Sequence, residues 1–311
     1  MTQQPPKIIV LGGINMDLVT FSPRFPRPGE TVVGSRFLTY AGGKGANQAV
    51  AAARMGARST MVGRVGGDIF GPQLLDGLAA AGVDISGVGV NADESSGIAV
   101  ISIDETAQNR ITQVLGANAT CGPDQAAAVK FGLPGAAALL LQLEVSIELS
   151  LEVAREARAQ GVSVILDPGP VRPVPAELLS LCDVITPNET EAQALVDFPV
   201  TGPESAAKAA EVLLQQGVGT AVIKLGSQGA YFASHNSRGM VLPFQVDAVD
   251  SVAAGDAFNS TLAVSLAEGK SLEEAVIVAC AAGGLSVTRT GAQDSIPERE
   301  LVEELVRSQR P

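Results

Sequence analysis

The sequence predicts an α/β fold: a three-layer α/β/α sandwich with a mostly parallel central sheet, plus a small β-sheet lid. Three observations carry this. Short apolar runs alternate with longer helical patterns, the rhythm of parallel strands covered by helices on both faces. The composition suits helices packed close on a sheet, since 46% of the 311 residues are hydrophobic, 34 are Gly and only 4% are aromatic. Two segments, near 14–40 and 95–117, break the rhythm with strand formers and no helical pattern.

The elements follow in order. Lys7–Leu11 reads as a buried strand, ended by Gly12-Gly13. Gln48–Met55 is an alanine-rich helix, then come a strand at Ser59–Val65 and a helix at Gly71–Ala81. The apolar run Ala137–Leu143 stops at Glu144; a helix at Glu148–Gln160 and a strand at Val162–Leu166 follow. Val184-Ile185-Thr186 is a short strand before a helix at Glu189–Val196, and Glu204–Gln216 is a helix before a strand at Thr220–Leu225. Three helices close the chain, near Ala254–Glu268, Leu272–Thr288 and Pro297–Arg307. In the two irregular segments Thr31-Val32-Val33 and Ile98–Ile103 read as half-exposed strands. They form either a β-lid inserted into the α/β core, the preferred reading, or ordinary hairpins at the sheet edge. The whole of 1–311 is expected to be one domain carrying these lid segments.

The formal net charge of -12, with no basic stripe, argues against nucleic acid and anionic membranes as partners. Three widely spaced cysteines, Cys121, Cys182 and Cys280, favour neither a disulfide framework nor a zinc site. The first residues lack the pattern of a signal peptide. A cytoplasmic protein is expected. The only histidine, His235, lies in a polar stretch, which excludes histidine-based triads.

In open parallel sheets ligands bind beyond the carboxyl ends of the strands, where Glu144, Asn188 and Gly226 stand. The sharpest motif is Val249-Asp250-Ser251-Val252-Ala253-Ala254-Gly255-Asp256-Ala257-Phe258, a run of small residues opening a helix. Free N–H groups in a first helical turn, joined to the helix dipole, bind anions, and small side chains let a phosphate approach. Such a site needs little formal positive charge, which suits an acidic chain. Asp256 alone could be a first-turn acid; beside a phosphate-sized nest it reads as catalytic.

Gly42-Gly43-Lys44-Gly45-Ala46-Asn47 is neither a Walker A loop nor a dinucleotide fingerprint, but its Lys and Asn offer donors to sugar hydroxyls. In Thr186-Pro187-Asn188-Glu189-Thr190-Glu191, Asn188 could cap a helix, or Asn188 and Glu191 could face hydrated Mg2+ and phosphates. Lys224-Leu225-Gly226-Ser227-Gln228-Gly229 ends a strand in a glycine-bounded turn suited to a nucleotide.

Together and in this order, the motifs resemble the ribokinase family of phosphofructokinase-B type carbohydrate kinases, from about Ile8 to Arg307. Asn15-Met16-Asp17, Pro28-Gly29-Glu30-Thr31, Leu141-Gln142-Leu143-Glu144 and Thr288-Arg289-Thr290-Gly291-Ala292-Gln293 share in the resemblance. It implies a ribokinase-like fold and ATP-dependent phosphorylation of D-ribose at O5. Other small substrates (deoxyribose, fructose, a nucleoside) and a non-catalytic sugar sensor on the same fold are the alternatives.

The resemblance also implies site roles. Asn15, Met16, Asp17, Gly42, Gly43, Lys44, Gly45, Asn47, Glu144 and Asp256 would form the sugar site, with Asp256 also the base and Ala254 and Gly255 as anion-hole donors. Asn188, Lys224, Leu225, Gly226, Ser227, Gln228, Gly229, Gly255, Asp256 and Cys280 would belong to the ATP site, and Glu191 would organise Mg2+ through water. Asp250, Val252, Ser286, Arg289, Gly291 and Ser295 would form a K+ loop, and the lid would join two copies as a homodimer. The chain departs from the family pattern at three places. Ser251-Val252-Ala253-Ala254-Gly255-Asp256 replaces a common Thr-Thr-Gly-Ala-Gly-Asp, Lys224 stands where Thr is frequent, and Cys280 where some members place a His on the base.

Overall fold

The computed structural model describes residues 4–106 and 108–310. Its strands are β1 (Lys7–Leu11), β2 (Asn15–Phe21), β3 (Arg36–Gly42), β4 (Arg58–Gly66), β5 (Asp84–Asn91), β6 (Gly97–Ile103) and β7 (Asn109–Val114). Then come β8 (Ala138–Leu141), β9 (Ser163–Leu166), β10 (Val184–Ile185), β11 (Thr220–Lys224), β12 (Ala230–Ser234) and β13 (Arg238–Val241). The helices are α1 (Lys44–Arg54), α2 (Phe70–Ala80), α3 (Pro123–Gly132), α4 (Ile147–Ala159) and α5 (Ala176–Leu181). They continue with α6 (Glu189–Val196), α7 (Pro203–Gln215), α8 (Ala254–Ala267), α9 (Leu272–Ser286) and α10 (Arg299–Gln309).

Nine strands form the central sheet in the order β13-β12-β11-β10-β9-β8-β1-β4-β5. All neighbours from β11 to β5 run parallel; only β12 and β13 are antiparallel additions at one edge. The two-residue side-chain period divides each apolar run between two cores. Ile8, Val10, Leu140, Ile165 and Val222 pack with α1, α2, α8, α9 and α10. Ile9, Leu11, Leu139, Leu141, Val164, Leu166 and Ile223 pack with α3, α4, α5, α6 and α7. The strands are apolar on both sides because neither face meets water.

The irregular segments form a separate four-stranded sheet, β3-β2-β6-β7, with its own small apolar cluster around Val19, Ala99 and Ile101. Thr31-Val32-Val33, expected as a strand, is not one. It is largely exposed after the Pro28-Gly29 turn, and pairing with β2 begins only at Arg36, opposite Phe21. β-branched residues favour a strand only where a partner edge is in reach.

Candidate active site

The carboxyl ends of β1, β8, β9, β10 and β11 converge on the N-termini of α1, α6 and α8. The chain leaves β1 through Gly12-Gly13 to reach Asn15, and β3 turns into α1 at Gly43. Gly43 has φ 89, and a Cβ there would lie 2.7 Å from the Asn15 amide nitrogen. Only glycine lets the loop approach β2 so closely. Gly45 is held to the same residue type, since a Cβ would sit 2.6 Å from the Gly12 carbonyl carbon.

α8 begins at Ala254, and Ala253 before it adopts φ 61, ψ 2, a left-handed conformation uncommon for alanine. Ala253 brings no side-chain cap to this helix. A left-handed residue ahead of a helical turn shapes a concave nest of N–H groups; here the Ala254 N–H makes one long bond, 3.4 Å, to the Ser251 carbonyl. Asp256, in the first turn, is buried; its Oδ2 accepts from Asn47 Nδ2 at 2.9 Å and its Oδ1 from Gln48 Nε2 at 3.1 Å. Burial raises the pKa of Asp256, opposed by the Lys44 charge and by both amide hydrogen bonds; the nearby Asp167 raises it further.

On the side of β2 lies a polar, acidic cluster. Asn15 Nδ2 donates to Glu144 Oε1 at 3.2 Å, and the Lys44 backbone N–H donates to Glu144 Oε2 at 2.7 Å. Gln113, on β7, also donates to Glu144, and Asn118 fixes Asn15 by donating to its Oδ1 at 2.8 Å. Asp17 is buried beside them. Burial, and then the charges of Glu144 and Asp256, push its pKa up to about 7.

On the other side of Asp256 opens a cavity of about 1000 Å³, bordered by Lys44, Asn188, Lys224, Gly226, Ser227, Gly229, Ala254, Gly255, Asp256 and Cys280. This is the upper range of small-molecule sites. Lys224 Nζ stands beside the nest, 3.3 Å from where a Cβ on Gly255 would be. Asp167, directly after β9, binds both lysines: Lys44 Nζ at 2.8 Å and Lys224 Nζ at 3.2 Å. Burial alone would raise the pKa of Asp167, but Lys224 and Lys44 together hold it below the ordinary carboxylate value.

The structure thus gathers Asn15, Asp17, Gly43, Lys44, Asn47, Glu144 and Asp256 at one end of the sheet. It gives some of these residues unexpected contacts. The ammonium of Lys44 turns to Asp167 and the cavity, not to the acidic cluster. Met16 buries its side chain in the core. Leu225 likewise belongs to the core, and Gln228 donates to the Thr201 carbonyl, so the turn after β11 offers the cavity Gly226, Ser227 and Gly229. Asn188 and Glu191 form a capping box on α6: the Glu191 N–H donates to Asn188 Oδ1 at 2.8 Å, and the Asn188 N–H to Glu191 Oε2 at 2.9 Å. Glu191 Oε1 is left 4.0 Å from Lys44 Nζ.

Behind the nest, Asp250 joins two loops, accepting from the N–H of Val252 at 3.1 Å and of Gly291 at 3.0 Å. Ser286 and Ser295 share a hydroxyl contact of 2.9 Å, and the Arg289 N–H donates to the Ser286 carbonyl.

Sequence reasoning missed Gln48, Gln113, Asn118, Gln142 and Asp167. Asp167 carried the same signal as Glu144, an acid just past an apolar strand. The amides carried none, because their partners lie far away in sequence.

A family model described as pfkB family carbohydrate kinase matches residues 5–299. The chain belongs to the pfkB family of carbohydrate kinases. It is 38% identical to a ribokinase of Haemophilus influenzae over 296 residues, 94% of this chain and 96% of the relative. It is 39% identical to a ribokinase of Schizosaccharomyces pombe over 93% of this chain and 94% of the other. Among solved structures it resembles Arabidopsis thaliana ribokinase complexed with ribose and ATP, with a TM-score of 0.89 and 34% identity, over 97% of this chain and 99% of that one. The fold is therefore ribokinase-like, and the chain is a carbohydrate kinase.

Proposed function

We propose that this kinase transfers the γ-phosphoryl group of ATP to O5 of D-ribose, giving D-ribose 5-phosphate and ADP, with Asp256 as the base. The position of Asp256 carries the reading. Its carboxylate borders the large cavity at the nest of α8, and its charge also reaches Asp17 and Glu144 in the polar cluster. A hydroxyl held by that cluster would meet a phosphoryl group held by the nest. Relatives called ribokinases, one solved with ribose and ATP, support ribose as the sugar.

Asn15, Asp17, Gly43, Asn47 and Glu144 would bind the sugar hydroxyls. The N–H groups of Ala254, Gly255 and Asp256 would receive negative charge as the phosphoryl group moves, and Lys44 and Lys224 would balance it. Phosphoryl transfer depends mainly on such positioning and charge stabilisation. Asp256 would accept the hydroxyl proton late, once the hydroxyl has become acidic. Asn188 and the turn Gly226–Gly229 would line the nucleotide, with Cys280 on the wall of the same cavity.

Two cations fit the residues present. One oxygen of Glu191 is free of the capping box, which suits Mg2+ held through water rather than by many carboxylates. Bound Mg2+ would neutralise the phosphates. The loops joined by Asp250 offer carbonyls and the Ser286 and Ser295 hydroxyls, a donor set suited to K+. The four-stranded sheet would serve as a lid over the sugar. Its exposed Phe37, Ile111 and Val114 support a homodimer through this sheet. A cytoplasmic location fits the reading.

The test is a substrate panel of ribose, deoxyribose, fructose and a nucleoside, each with ATP, Mg2+ and coupled ADP detection. Ribose should give the highest kcat/KM. A higher value for another substrate would overturn the sugar assignment. Ribose binding without ADP release would overturn the kinase reading in favour of a sugar sensor.

A further inference from the structure

We propose that Gln48 is a positioning residue that fixes the base Asp256 and ties it to Asp167, the shared counter-ion of the two cavity lysines. The inference rests on the reading of Asp256 as the base.

Gln48 is 1% exposed, one turn into α1. Its Nε2 donates to Asp256 Oδ1 and to Asp167 Oδ2, each at 3.1 Å. Ionised carboxylates only accept hydrogen bonds, so the amide must present its nitrogen to both. Its Oε1 then faces Gln142, whose Nε2 donates to it at 2.6 Å. That orientation propagates one step further and leaves Gln142 Oε1 buried without a partner among the described residues. A Cβ on Gly12 would come within 1.8 Å of that orphaned oxygen, so the space around it is also reserved. A buried unpaired acceptor is costly and calls for a reason. Here the reason is the donor that Gln142 lends to Gln48, which locks the amide between two carboxylates.

The arrangement has a chemical consequence. Hydrogen bonds to the ionised form favour it. Gln48, together with Asn47, thus favours the ionised, proton-accepting form of Asp256 against burial and the charge of Asp167, with Asp17 and Glu144 also near; the Lys44 charge acts in the same sense, and Lys224 faces the same nest.

The experiment compares wild type, Q48M and Q142M by circular dichroism and by pH profiles of kcat and kcat/KM for ribose, with D256N alongside. Q48M keeps the side-chain length but has no donor. Its kcat should fall about tenfold to a hundredfold, as for a misoriented reacting group, and the acidic limb of its profile should move to higher pH. Q142M, which removes the donor that anchors Gln48 Oε1 and so loosens the amide, should shift the limb the same way by less. A folded Q48M with the wild-type limb and kcat overturns the proposal, as does one that loses only thermal stability. If Q48M does not fold, Q142M decides by the same criterion. If D256N turns over like wild type, the underlying assignment of the base fails instead.

Discussion

Replacing Asp167 by Asn tests the charge arrangement at the cavity. The side chain of Asp167 is 1% exposed, whereas those of its partners Lys44 and Lys224 are 27% and 13% exposed. Removing one partner of a fully buried ion pair costs about 3–5 kcal/mol. Water reaches both ammonium groups here, so the cost falls to about 1–3 kcal/mol. A chain of this length has an unfolding entropy near 0.65 kcal/mol per kelvin, so D167N should lower Tm by about 2–5 °C. Asp167 has a lowered pKa when folded, so its contribution is present above the unfolded value near 3.9 and lost as pH falls further. The gap between variant and wild type should therefore close in acid. Nucleotide should narrow it as well, because phosphate oxygens supply the anion that Asn lacks. Thermal unfolding with and without ATP, in the absence of sugar, reads this directly: ATP should raise Tm more in D167N than in wild type. Equal ATP-induced shifts, or a smaller one in D167N, would refute the view that the lysines face the phosphates.

Asp17 gives a pH test of opposite sign. Its folded pKa of about 7 exceeds the unfolded value, so its contribution to stability is present below about pH 4 and lost as pH rises through 7. D17N should then be more stable than wild type at pH 8 and lose that advantage in acid, as seen by denaturant titration at both pH values. G43A should destabilise the fold by more than 1 kcal/mol, through its φ of 89 and the clash with Asn15, and calorimetry would show it. Turnover should rise with K+ at fixed ionic strength; identical rates in Na+ and K+ would count against the loops at Asp250 as a K+ site.

The layered sheet was legible because its strands are apolar on both faces, and Ile8–Leu11 shows the two-core division in four residues. The small sheet was only partly legible. Ile98–Ile103 declared itself by composition, but Thr31–Val33 has the same chemistry and no partner edge. At the site, Asp256 and Gly43 were readable because local backbone requirements mark them. Gln48 and Gln142 were not, since an amide gains its role only from partners brought to it by other elements: Asp167 and Asp256 for Gln48, and Gln48 itself for Gln142. Asp167 lay between these cases. Its place after a strand was visible, but the two lysines that define it lie 123 and 57 residues away.

The measurement that tests the central claim most directly is turnover of ribose with ATP and Mg2+ by wild type and by D256N, with ribose binding followed in parallel. The expected result is ribose 5-phosphate formed by wild type, unchanged ribose binding in D256N, and a fall in its kcat of about 10²–10⁴-fold. Near-normal turnover in D256N, or no ribose 5-phosphate from wild type, would contradict it.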